Sequence, residues 1–412
     1  MTQPLRRTAL HAWHVAHGAR MVPFAGWEMP VQYPTGPLEE HHTTRRAAGL
    51  FDIDHMGQIE IRGPDALAFV NDVLTYDVQR LKPMRAHYAL LCYQDGGTID
   101  DVIVYRLDDR SDEATFWLAV NAANMAKDLA WLRAQASDYD VDVRDLSDAT
   151  CMLAFQGPAA PAIMARLVGQ PLDDLPHFAA RQVSLSGGVP VLLSRTGYTG
   201  EDGFELFLPV EHALHVWETI LAAGAGEGVK PVGLAARDSL RFEAGMPLYG
   251  HELDPQRTPI EAGLRFGVSL HKRFIGREAL LKQALEGVEV ALVGFEMVDN
   301  GVPRHGYAVT RDGQPIGRVT SGMFSPTTGR YLGMAYLPVA VATVGSPIEI
   351  IIHDRPRRAQ VGGGGPLTGD AGASESQEQP KDEHSKERGG LSHETGCQRT
   401  LCRQPRVGAA RG

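Results

Sequence analysis

Two adjacent acids in a predicted strand are the first candidates for chemistry. The stretch "DGGTIDDVIVY", residues 95–105, places Asp100 and Asp101 between a Gly-Gly turn and an apolar run that is typical of a buried strand. Because neighbouring side chains of a strand point to opposite faces, the two carboxylates cannot share one environment. Strand alternation therefore predicts separate roles for the two acids, and it leaves open which of them faces a substrate.

Further carboxylates lie near arginines later in the chain. Glu205 lies inside the apolar frame "GFELFLP", where a buried carboxylate needs strong donors, such as a ligand with two adjacent N–H groups. The segment "LAARDSLRFEAG" contains Arg237, Asp238 and Arg241. Arg237 and Arg241 share a helix face, and Asp238 can pair with Arg241. A helix stabilised by its own charges is therefore the alternative to a binding role for this segment.

Other chemistries find little support in residue spacing. Gly197, Gly200 and Gly203 match neither phosphate-binding glycine pattern, which favours a tight turn that projects a loop residue and a strand residue. His41 and His42 are adjacent and lack the i, i+4 spacing of a metal-binding pair, so a solvated helix face is the preferred interpretation. The sequence contains no G-x-S-x-G element for acyl transfer. No metal, nucleotide cofactor or acyl-enzyme is predicted.

The remaining histidine and cysteine candidates also favour structural roles. His55 in "DIDHMG" stands alone among turn-like residues, and we expect it to make a structural hydrogen bond. Cys92 and Cys151 lie in apolar stretches and are expected in the core. Cys397 and Cys402 lie in a polar tail, where a zinc site is a weak alternative to an unstructured segment. The spacing does not resemble a secreted disulfide framework.

Composition narrows the class of protein. The 412 residues are enough for two or three domains, and the formal net charge of -10 argues against general binding to nucleic acid or anionic membranes. No uninterrupted apolar run approaches membrane-spanning length. Arg6 and Arg7 are not followed by the apolar region of a signal peptide. We therefore expect a cytoplasmic protein.

Two segments share a local order of elements that would position these side chains. Residues 57–74 and 149–168 each run strand, Gly-Pro, helix, and each is followed by strand-like segments and a second helix. Asn124 is a candidate cap for the second helix of the first segment. The order β, α, β, β, α predicts a duplicated α+β unit with antiparallel sheets, although chance recurrence of Gly-Pro is an alternative.

The C-terminal part of the chain has a different residue pattern. From about Val290 short strands alternate with turn residues, which predicts a small β-barrel or sandwich. Residues 361–412 are rich in Gly, Ser, Glu and Lys, and we expect them to be disordered.

Several longer strings carry a resemblance to a known family. They are "MVPFAGWEMPVQY", "GLFDIDHMG", "GGTIDDVIVY", "NAANMAKDL", "FQGP", "SRTGYTGEDGFEL", "GLAARDSLRFEAGMPLYG" and "VTSGMFSPT". In this order they resemble the aminomethyltransferase, or T-protein, of the glycine cleavage system, from the N-terminus to about residue 355. The resemblance implies transfer of the methylene carbon from the aminomethyl-lipoyl arm of the H-protein to tetrahydrofolate, with release of ammonia. It implies tetrahydrofolate as co-substrate in glycine catabolism and one-carbon metabolism, and it implies no metal.

The family resemblance also implies an architecture. It is a three-domain cloverleaf of fold class α+β, with two interleaved folate-binding subdomains in residues 1–285, a C-terminal β-barrel in 286–360 and an atypical tail in 361–412. The expected partners are the lipoylated H-protein and tetrahydrofolate, with neither nucleic acid nor membrane, and the expected state is a monomer. By charge alone, Arg6, Arg7, Arg45 and Arg46 are candidates for a rim that meets an acidic lipoyl partner.

The motifs shared with the family also imply which residues form the site. The second acid of "IDD", Asp101, is the implied catalytic residue, which orients the reacting centre and promotes proton transfer from the folate N5. The implied pterin-binding acid is Glu205, and the implied partner of the glutamyl carboxylates is Arg237. Further implied folate contacts are Tyr198, Met56, Tyr88 and Asn121. Asp100 would then face away, pairing with an arginine or capping the Gly-Gly turn.

The end of the chain departs from the family pattern. Family members close with a further strand and a Pro-Phe-Tyr type segment, whereas "DRPRRAQV" here runs into "GGGGPLTGDAG". We therefore expect an unpaired edge in the barrel. Two alternatives remain open: a folate-binding relative without turnover, and an iron-sulfur maintenance folate protein. The second alternative is disfavoured because "HKRFIGREAL", residues 271–280, lacks the reactive cysteine of that group.

Overall fold

The computed structural model describes residues 4–107, 114–185 and 187–362. The α-helices are His11–Ala16 (α1), Pro37–Arg46 (α2), Ala66–Val73 (α3), Met125–Gln135 (α4), Ala160–Val168 (α5), Ala213–Ala223 (α6), Leu234–Glu243 (α7) and Arg277–Glu286 (α8). Single 3-10 turns are Val78–Arg80, Ala136–Asp138, Val210–His212, Ala225–Glu227, Arg265–Gly267 and Val339–Val341. Among the described helices, none is long and apolar enough to cross a membrane.

The strands form two sheets, a hairpin and a barrel. They are Arg20–Phe24 (β1), Trp27–Gln32 (β2), Gly49–Asp52 (β3), Gly57–Arg62 (β4), Arg85–Cys92 (β5), Thr98–Arg106 (β6), Thr115–Val120 (β7), Asp142–Asp145 (β8), Thr150–Gln156 (β9), Ala180–Leu185 (β10), Val189–Ser194 (β11), Gly203–Pro209 (β12), Lys230–Val232 (β13), Val290–Met297 (β14), Ala308–Arg311 (β15), Gln314–Phe324 (β16), Tyr331–Pro338 (β17), Pro347–Ile352 (β18) and Arg355–Val361 (β19).

Four adjacent strands have the same order in the two sheets. One is β5-β6-β7-β4-β8 and the other is β10-β11-β12-β9-β3-β13, so the order of the first four strands matches. Each unit runs β, α, β, β, β, α, from β4 to α4 and from β9 to α6. The duplicated α+β unit is therefore present with one more strand than predicted, because β10 was not recognised in the second unit. Among the described strands, β13 pairs with β3 in parallel and the other strand pairs are antiparallel.

The Gly-Pro turns have the same backbone conformation in both units. Gly63 and Gly157 have φ of 132° and 134°, a region in which L side chains are strained. A Cβ on either residue would lie 2.5 Å from a backbone carbonyl oxygen, that of Asp140 or of Ala47. Glycine at both positions therefore allows the strand to turn directly into the helix that covers its sheet.

The sheets face each other and the helices cover their outer faces. One core lies between the six-stranded sheet and α5 and α6, and a second lies between the five-stranded sheet and α3 and α4. A third cluster, with side chains from both sheets, fills the space between them. The candidate acids lie on strands that border this central layer.

Two reciprocal backbone hydrogen bonds join β5 of the first unit to β10 of the second. The Ala86 N–H donates to the Phe178 carbonyl over 2.8 Å, and the Ala180 N–H donates to the Met84 carbonyl over 2.9 Å. Met84 and Phe178 both have positive φ, of 58° and 56°. We refer to residues 84–86 and 178–180 as the seam. It fixes how the two sheets meet.

The C-terminal barrel is closed, contrary to the expected unpaired edge. Its strand order is β14-β17-β16-β15-β18-β19, and β19 pairs with both β18 and β14. The segment "RPRRAQV" supplies this last strand because Ala359 and Val361 point into the barrel while their neighbours face outward. Disorder was expected from residue 361, but Val361 is the last residue of β19, so the expectation was wrong there. The rest of the expected tail, from residue 363, lies outside the described residues, as do Cys397 and Cys402.

A buried network joins α2 and α7 to the barrel. Glu243 accepts hydrogen bonds from the Ser325 hydroxyl and from the Thr327 N–H and hydroxyl, and it contacts Arg45 at 3.1 Å. His41 donates or accepts toward Ser239 over 2.8 Å and is fully buried. The predicted solvated face at His41 is therefore wrong, because α7 and the barrel loop cover that face of α2.

Candidate functional site

Asp101 lies on β6 with both carboxylate oxygens hydrogen-bonded. Its Oδ2 accepts from the Tyr88 hydroxyl over 3.1 Å, and its Oδ1 accepts from the Asn121 side-chain amide over 2.8 Å. Tyr88 is on β5, which pairs with β6, and Asn121 directly follows β7 on the other side. Three adjacent strands thus bring an acid, a phenol and an amide together.

The environment of Asp101 moves its titration into the neutral range. Burial, and secondarily the negative charge of Asp100, raise the pKa of Asp101 to about 7. The hydrogen bonds from Tyr88 and Asn121 act in the opposite direction, because they stabilise the ionised form. A carboxyl group in this range can accept and return a proton near neutral pH.

Asp100 points to the opposite face of β6, as strand alternation predicts. Ile103 and Tyr105, on the Asp101 face, pack in the layer between the sheets, whereas Val102 and Val104 pack beneath the helices. Asp100 is fully buried on that second face. The separate environments predicted for the two acids are thus present.

The expected partners of Asp100 were wrong. It accepts from the backbone N–H and the side-chain amide of Asn121, both at 2.9 Å, and from the Asn124 amide at 2.6 Å. Asn124 uses its amide for this bond and makes no side-chain cap to α4. The Gly-Gly turn is closed by Asp95, which accepts from the Gly97 N–H over 3.1 Å. Asp100 therefore anchors the Asn121 amide that also holds Asp101.

Glu205 is a buried acid on β12 of the other sheet. Its Oε2 accepts from the Thr196 hydroxyl over 2.5 Å and from the Tyr105 hydroxyl over 3.3 Å. Burial raises the pKa of Glu205, while the hydrogen bond from Thr196 and the charge of Arg237 oppose this increase. The second oxygen, Oε1, has no hydrogen-bond partner within residues 4–107, 114–185 and 187–362. One carboxylate oxygen is thus free to accept a hydrogen bond from a ligand.

Arg237, on α7, lies over the ring of Tyr198. Its guanidinium carbon is 4.8 Å from the ring centroid, and its Nη1 is buried without a hydrogen-bond partner among the described residues. Burial lowers the pKa of Arg237, and the charge of Glu205 opposes this decrease. The Tyr198 hydroxyl donates to the Pro247 carbonyl, which fixes the ring. A buried guanidinium with an unused donor suits a carbonyl or anionic group of a ligand.

His55 lies close to this arginine and lacks the structural hydrogen bond that we expected. Its side chain is buried, and its Nδ1 has no partner within the described ranges. Burial and the positive charge of Arg237 lower the pKa of His55 to about 4, so the imidazole is neutral at neutral pH. Its ring meets Phe24 edge to face, at a centroid distance of 5.5 Å. His55 is therefore a neutral side chain close to Arg237.

Electrostatic and packing contacts link the predicted site residues into one region. Burial, and to a smaller extent the charge of Asp101, raise the pKa of Tyr198, whose ring lies beneath Arg237. The charge of Arg237 in turn acts on Glu205. Met56 packs against the cluster between the two sheets, which also contains Tyr105. Hydrogen bonds, packing and electrostatic interactions therefore connect the seven residues predicted from the sequence: Met56, Tyr88, Asp101, Asn121, Tyr198, Glu205 and Arg237.

Sequence reasoning missed several side chains in this region. Phe266, in the 3-10 turn Arg265–Gly267, is 67 % exposed, and its ring centroid lies 5.4 Å from that of Tyr88. Thr196 donates to Glu205, and Asp128 on α4 lies behind Asp100. Tyr105 could have been found, since it shares a strand face with Asp101. Thr196 lies only nine residues before Glu205, whereas Phe266 and Asp128 come from more distant parts of the chain, for which local spacing gives no signal.

The arginines proposed for a basic rim are mostly paired within the protein. Arg6 contacts Asp148 at 2.5 Å, and Arg7 contacts Glu28 at 3.0 Å. Arg45 is largely buried and contacts both Glu201 and Glu243. These contacts reduce the charge available to an acidic partner. They disfavour Arg45 in particular as a rim residue.

Comparisons with known proteins agree over most of the chain. Residues 10–272 match the family model described as GCVT N-terminal domain, and residues 291–365 match that of the glycine cleavage T-protein C-terminal barrel domain. An aminomethyltransferase of Symbiobacterium thermophilum is 48% identical over 368 residues, covering 88% of this chain and 97% of that protein. One from Desulforamulus reducens is 46% identical over 360 residues, covering 87% and 97%. The crystal structure of glycine cleavage system aminomethyltransferase T from Bartonella henselae matches with a TM-score of 0.81 and 36% identity, covering 87% of this chain and 97% of that one.

Proposed function

The chain belongs to the glycine cleavage T-protein family, and from this premise we propose how its residues carry out the aminomethyltransferase reaction. The protein is an aminomethyltransferase of the glycine cleavage system. Its substrates are proposed to be aminomethyl-loaded lipoyl H-protein and tetrahydrofolate, with ammonia, methylenetetrahydrofolate and dihydrolipoyl H-protein as products. The carbon's bonds to the amine and to the lipoyl sulfur break, and the departing amine and sulfur take up the two protons that N5 and N10 lose. When bound, tetrahydrofolate supplies the N5 nitrogen that takes up the one-carbon unit. No metal enters this proposal.

Asp101 is the proposed catalytic residue. The observation that carries this assignment is a half-buried carboxylate, held by Tyr88 and Asn121, whose pKa lies at about 7. In the ionised form it accepts the proton that N5 loses when the carbon–nitrogen bond forms, and it orients the reacting centre. The same carboxyl group can then return that proton to the departing ammonia.

Glu205 and Arg237 are the proposed folate-binding residues at the other end of the site. Glu205 has a free oxygen, Oε1, and an oxygen that accepts from two hydroxyl groups, Oε2. Its carboxylate can accept hydrogen bonds from the 2-amino group and the ring N3–H of a pterin. The unused buried donor of Arg237 suits a carbonyl oxygen or a carboxylate of the same ligand. Tyr198 and Met56 would line the ring. The residues therefore fit the group that the family binds.

The most informative assay uses lipoylated, aminomethyl-loaded H-protein with tetrahydrofolate and measures ammonia and methylenetetrahydrofolate. Asp101→Asn should abolish most of the rate and leave folate affinity largely intact, because the amide keeps the shape and loses the basicity. Glu205→Ala should instead weaken folate binding, measured by titration calorimetry. An unchanged rate in Asp101→Asn would refute its catalytic role. Folate binding without turnover by the unmodified chain would identify a binding protein instead.

The domain limits and the physical state are part of the same proposal. We place the folate-binding region at residues 1–285 and the barrel domain at 286–360. A monomer in the cytoplasm that docks the H-protein transiently is the proposed state. Gel filtration with and without the loaded H-protein tests it, and a stable dimer at working concentration would contradict it.

A further inference from the structure

A third acid lies behind the two acids of β6. Asp128, on α4, is fully buried, and neither of its carboxylate oxygens has a hydrogen-bond partner among the described residues. Asp100 acts on it through its charge and its hydrogen-bonding proximity, and the Nζ of Lys127 lies 4.0 Å from Asp128 Oδ1. A buried ionised carboxylate without any donor is strongly unfavourable. The position therefore requires either a neutral Asp128 or a donor from a nearby cation.

Lys127 is the nearby cation, and its donors are already used. Its Nζ donates to the Ile99 carbonyl at 2.5 Å, the Asn124 side-chain oxygen at 3.0 Å and the Tyr249 hydroxyl at 3.1 Å. An ammonium group has three N–H donors, and these three acceptors satisfy it. The nearest oxygen of Asp128 is 4.0 Å away. Lys127 thus contributes charge to the cluster without a hydrogen bond to Asp128.

The hydrogen bonds distinguish the two facing acids. Asp100 accepts three N–H bonds, two from Asn121 and one from Asn124. Asp128 accepts none in the described structure. Asp101, Lys127 and Tyr249 are the other titratable groups that act on this pair. A single proton on Asp128, donated to Asp100, removes the buried negative charge of Asp128 and gives one of its two oxygens a hydrogen bond.

We propose that Asp128 is a positioning residue that carries a proton and donates it in a hydrogen bond to Asp100, so that Asp100 holds Asn121 and Asn121 holds Asp101. The Asn121 amide bridges the two acids of β6, at 2.9 Å from Asp100 and 2.8 Å from Asp101. The effect on turnover rests on the catalytic role proposed for Asp101. The protonation of Asp128 does not depend on that role.

The electrostatic surroundings agree with a proton on Asp128 at neutral pH. Burial, and secondarily the charge of Asp100, raise the pKa of Asp128 to about 10. The charge of Lys127 opposes this increase without a direct bond. The competing arrangement is an ionised Asp128 in an ion pair with Lys127. The two arrangements differ in one proton and can be separated by spectroscopy.

Infrared spectroscopy of the full chain tests the proton directly. We expect the carbonyl stretch of a protonated carboxylic acid in the difference spectrum between the unmodified protein and Asp128→Asn at pH 8.5, where most of Asp101 is ionised. The band should disappear on titration toward pH 11. Its absence from the difference spectrum at pH 8.5 would overturn the proposal. This measurement stays valid if Asp101→Asn turns over normally, in which case the catalytic assignment fails and the proton on Asp128 stands.

Two substitutions then separate positioning from packing. Asp128→Asn keeps a neutral donor toward Asp100, so we expect kcat and its pH profile to stay within about twofold. Asp128→Ala removes the donor, and we expect a kcat loss of at least about 10-fold with an altered pH profile and little change in the KM for folate. Leu132→Ala, a buried core change one turn along α4, is the matched control for lost packing and should retain kcat below its melting temperature. Equal losses in Asp128→Asn and Asp128→Ala would show that the negative charge is what matters and would overturn the proposal.

Discussion

Removing the hydroxyl of Tyr88 tests how the protein sets the pKa of Asp101. In Tyr88→Phe the ring stays, while the 3.1 Å hydrogen bond to the carboxylate is lost. A hydrogen bond to a charged group contributes about 1.5–3 kcal/mol, and one pKa unit corresponds to about 1.4 kcal/mol. Because this bond stabilises the ionised form, its loss should raise the pKa of Asp101 from about 7 by roughly 1–2 units.

The expected effect on turnover follows from the ionised fraction. At pH 7 about half of Asp101 is ionised in the unmodified protein, and a pKa between roughly 8 and 9 leaves about 10% to 1% ionised. We therefore expect kcat/KM at pH 7 to fall roughly 5- to 50-fold, with most of the loss recovered above pH 9. The assay is ammonia release from aminomethyl-loaded H-protein with tetrahydrofolate, measured across this pH range.

The control makes the same chemical change elsewhere. Tyr139 donates its hydroxyl to Asp72 over 2.8 Å, far along the chain from the site residues, so Tyr139→Phe also removes a phenol–carboxylate bond. Its pH profile should match that of the unmodified protein. If the acidic limb of the Tyr88→Phe profile stays in place or moves to lower pH, Asp101 is not the base whose ionisation limits the rate.

Three further predictions concern stability. Glu243→Ala should lower the free energy of unfolding, measured in urea, by about 3–5 kcal/mol, because it removes the buried hydrogen bonds between α7 and the barrel. The control Glu286→Ala, at an exposed ion pair, should change that free energy by less than about 1 kcal/mol. Burial, and then Asp52, raise the pKa of Asp54 to about 8, so the native state holds an extra proton and stability should fall as pH rises from about 4 to 8. Between pH 6 and 9 this contribution falls by about 3 kcal/mol, and Asp54→Asn should remove that difference between melting curves at the two pH values. Truncation after Gly362 should leave the melting temperature unchanged, since every described barrel pair lies before it; a drop of several degrees would show that later residues stabilise the barrel.

Local periodicity predicted the features that depend on neighbouring residues. The opposite faces of Asp100 and Asp101 follow from strand alternation, and the repeated strand, Gly-Pro, helix order identified the duplicated unit. The choice of Asp101 as the acid that faces the substrate came from the family resemblance. Alternation is symmetric between the two faces and cannot supply that choice.

Features that depend on distant residues were missed. His41 was assigned to a solvated face because its spacing from His42 does not suit a metal-binding pair, but Thr327 and Ser239, far along the chain, cover it. The last barrel strand was overlooked because its outward side chains are Arg and Gln, while Ala359 and Val361 are its two buried residues. In both cases the deciding contact is made across the fold, and no window of neighbouring residues contains it.

The reciprocal bonds of the seam give the two halves the symmetry of an isologous homodimer interface within one chain. In a true homodimer each copy would carry the same acids, so its two sites would be identical. Covalent fusion removes that restriction, because each half can change its side chains independently. In the proposed site the first half supplies Asp101 and the second supplies Glu205, so a long, asymmetric substrate would meet different chemistry at its two ends.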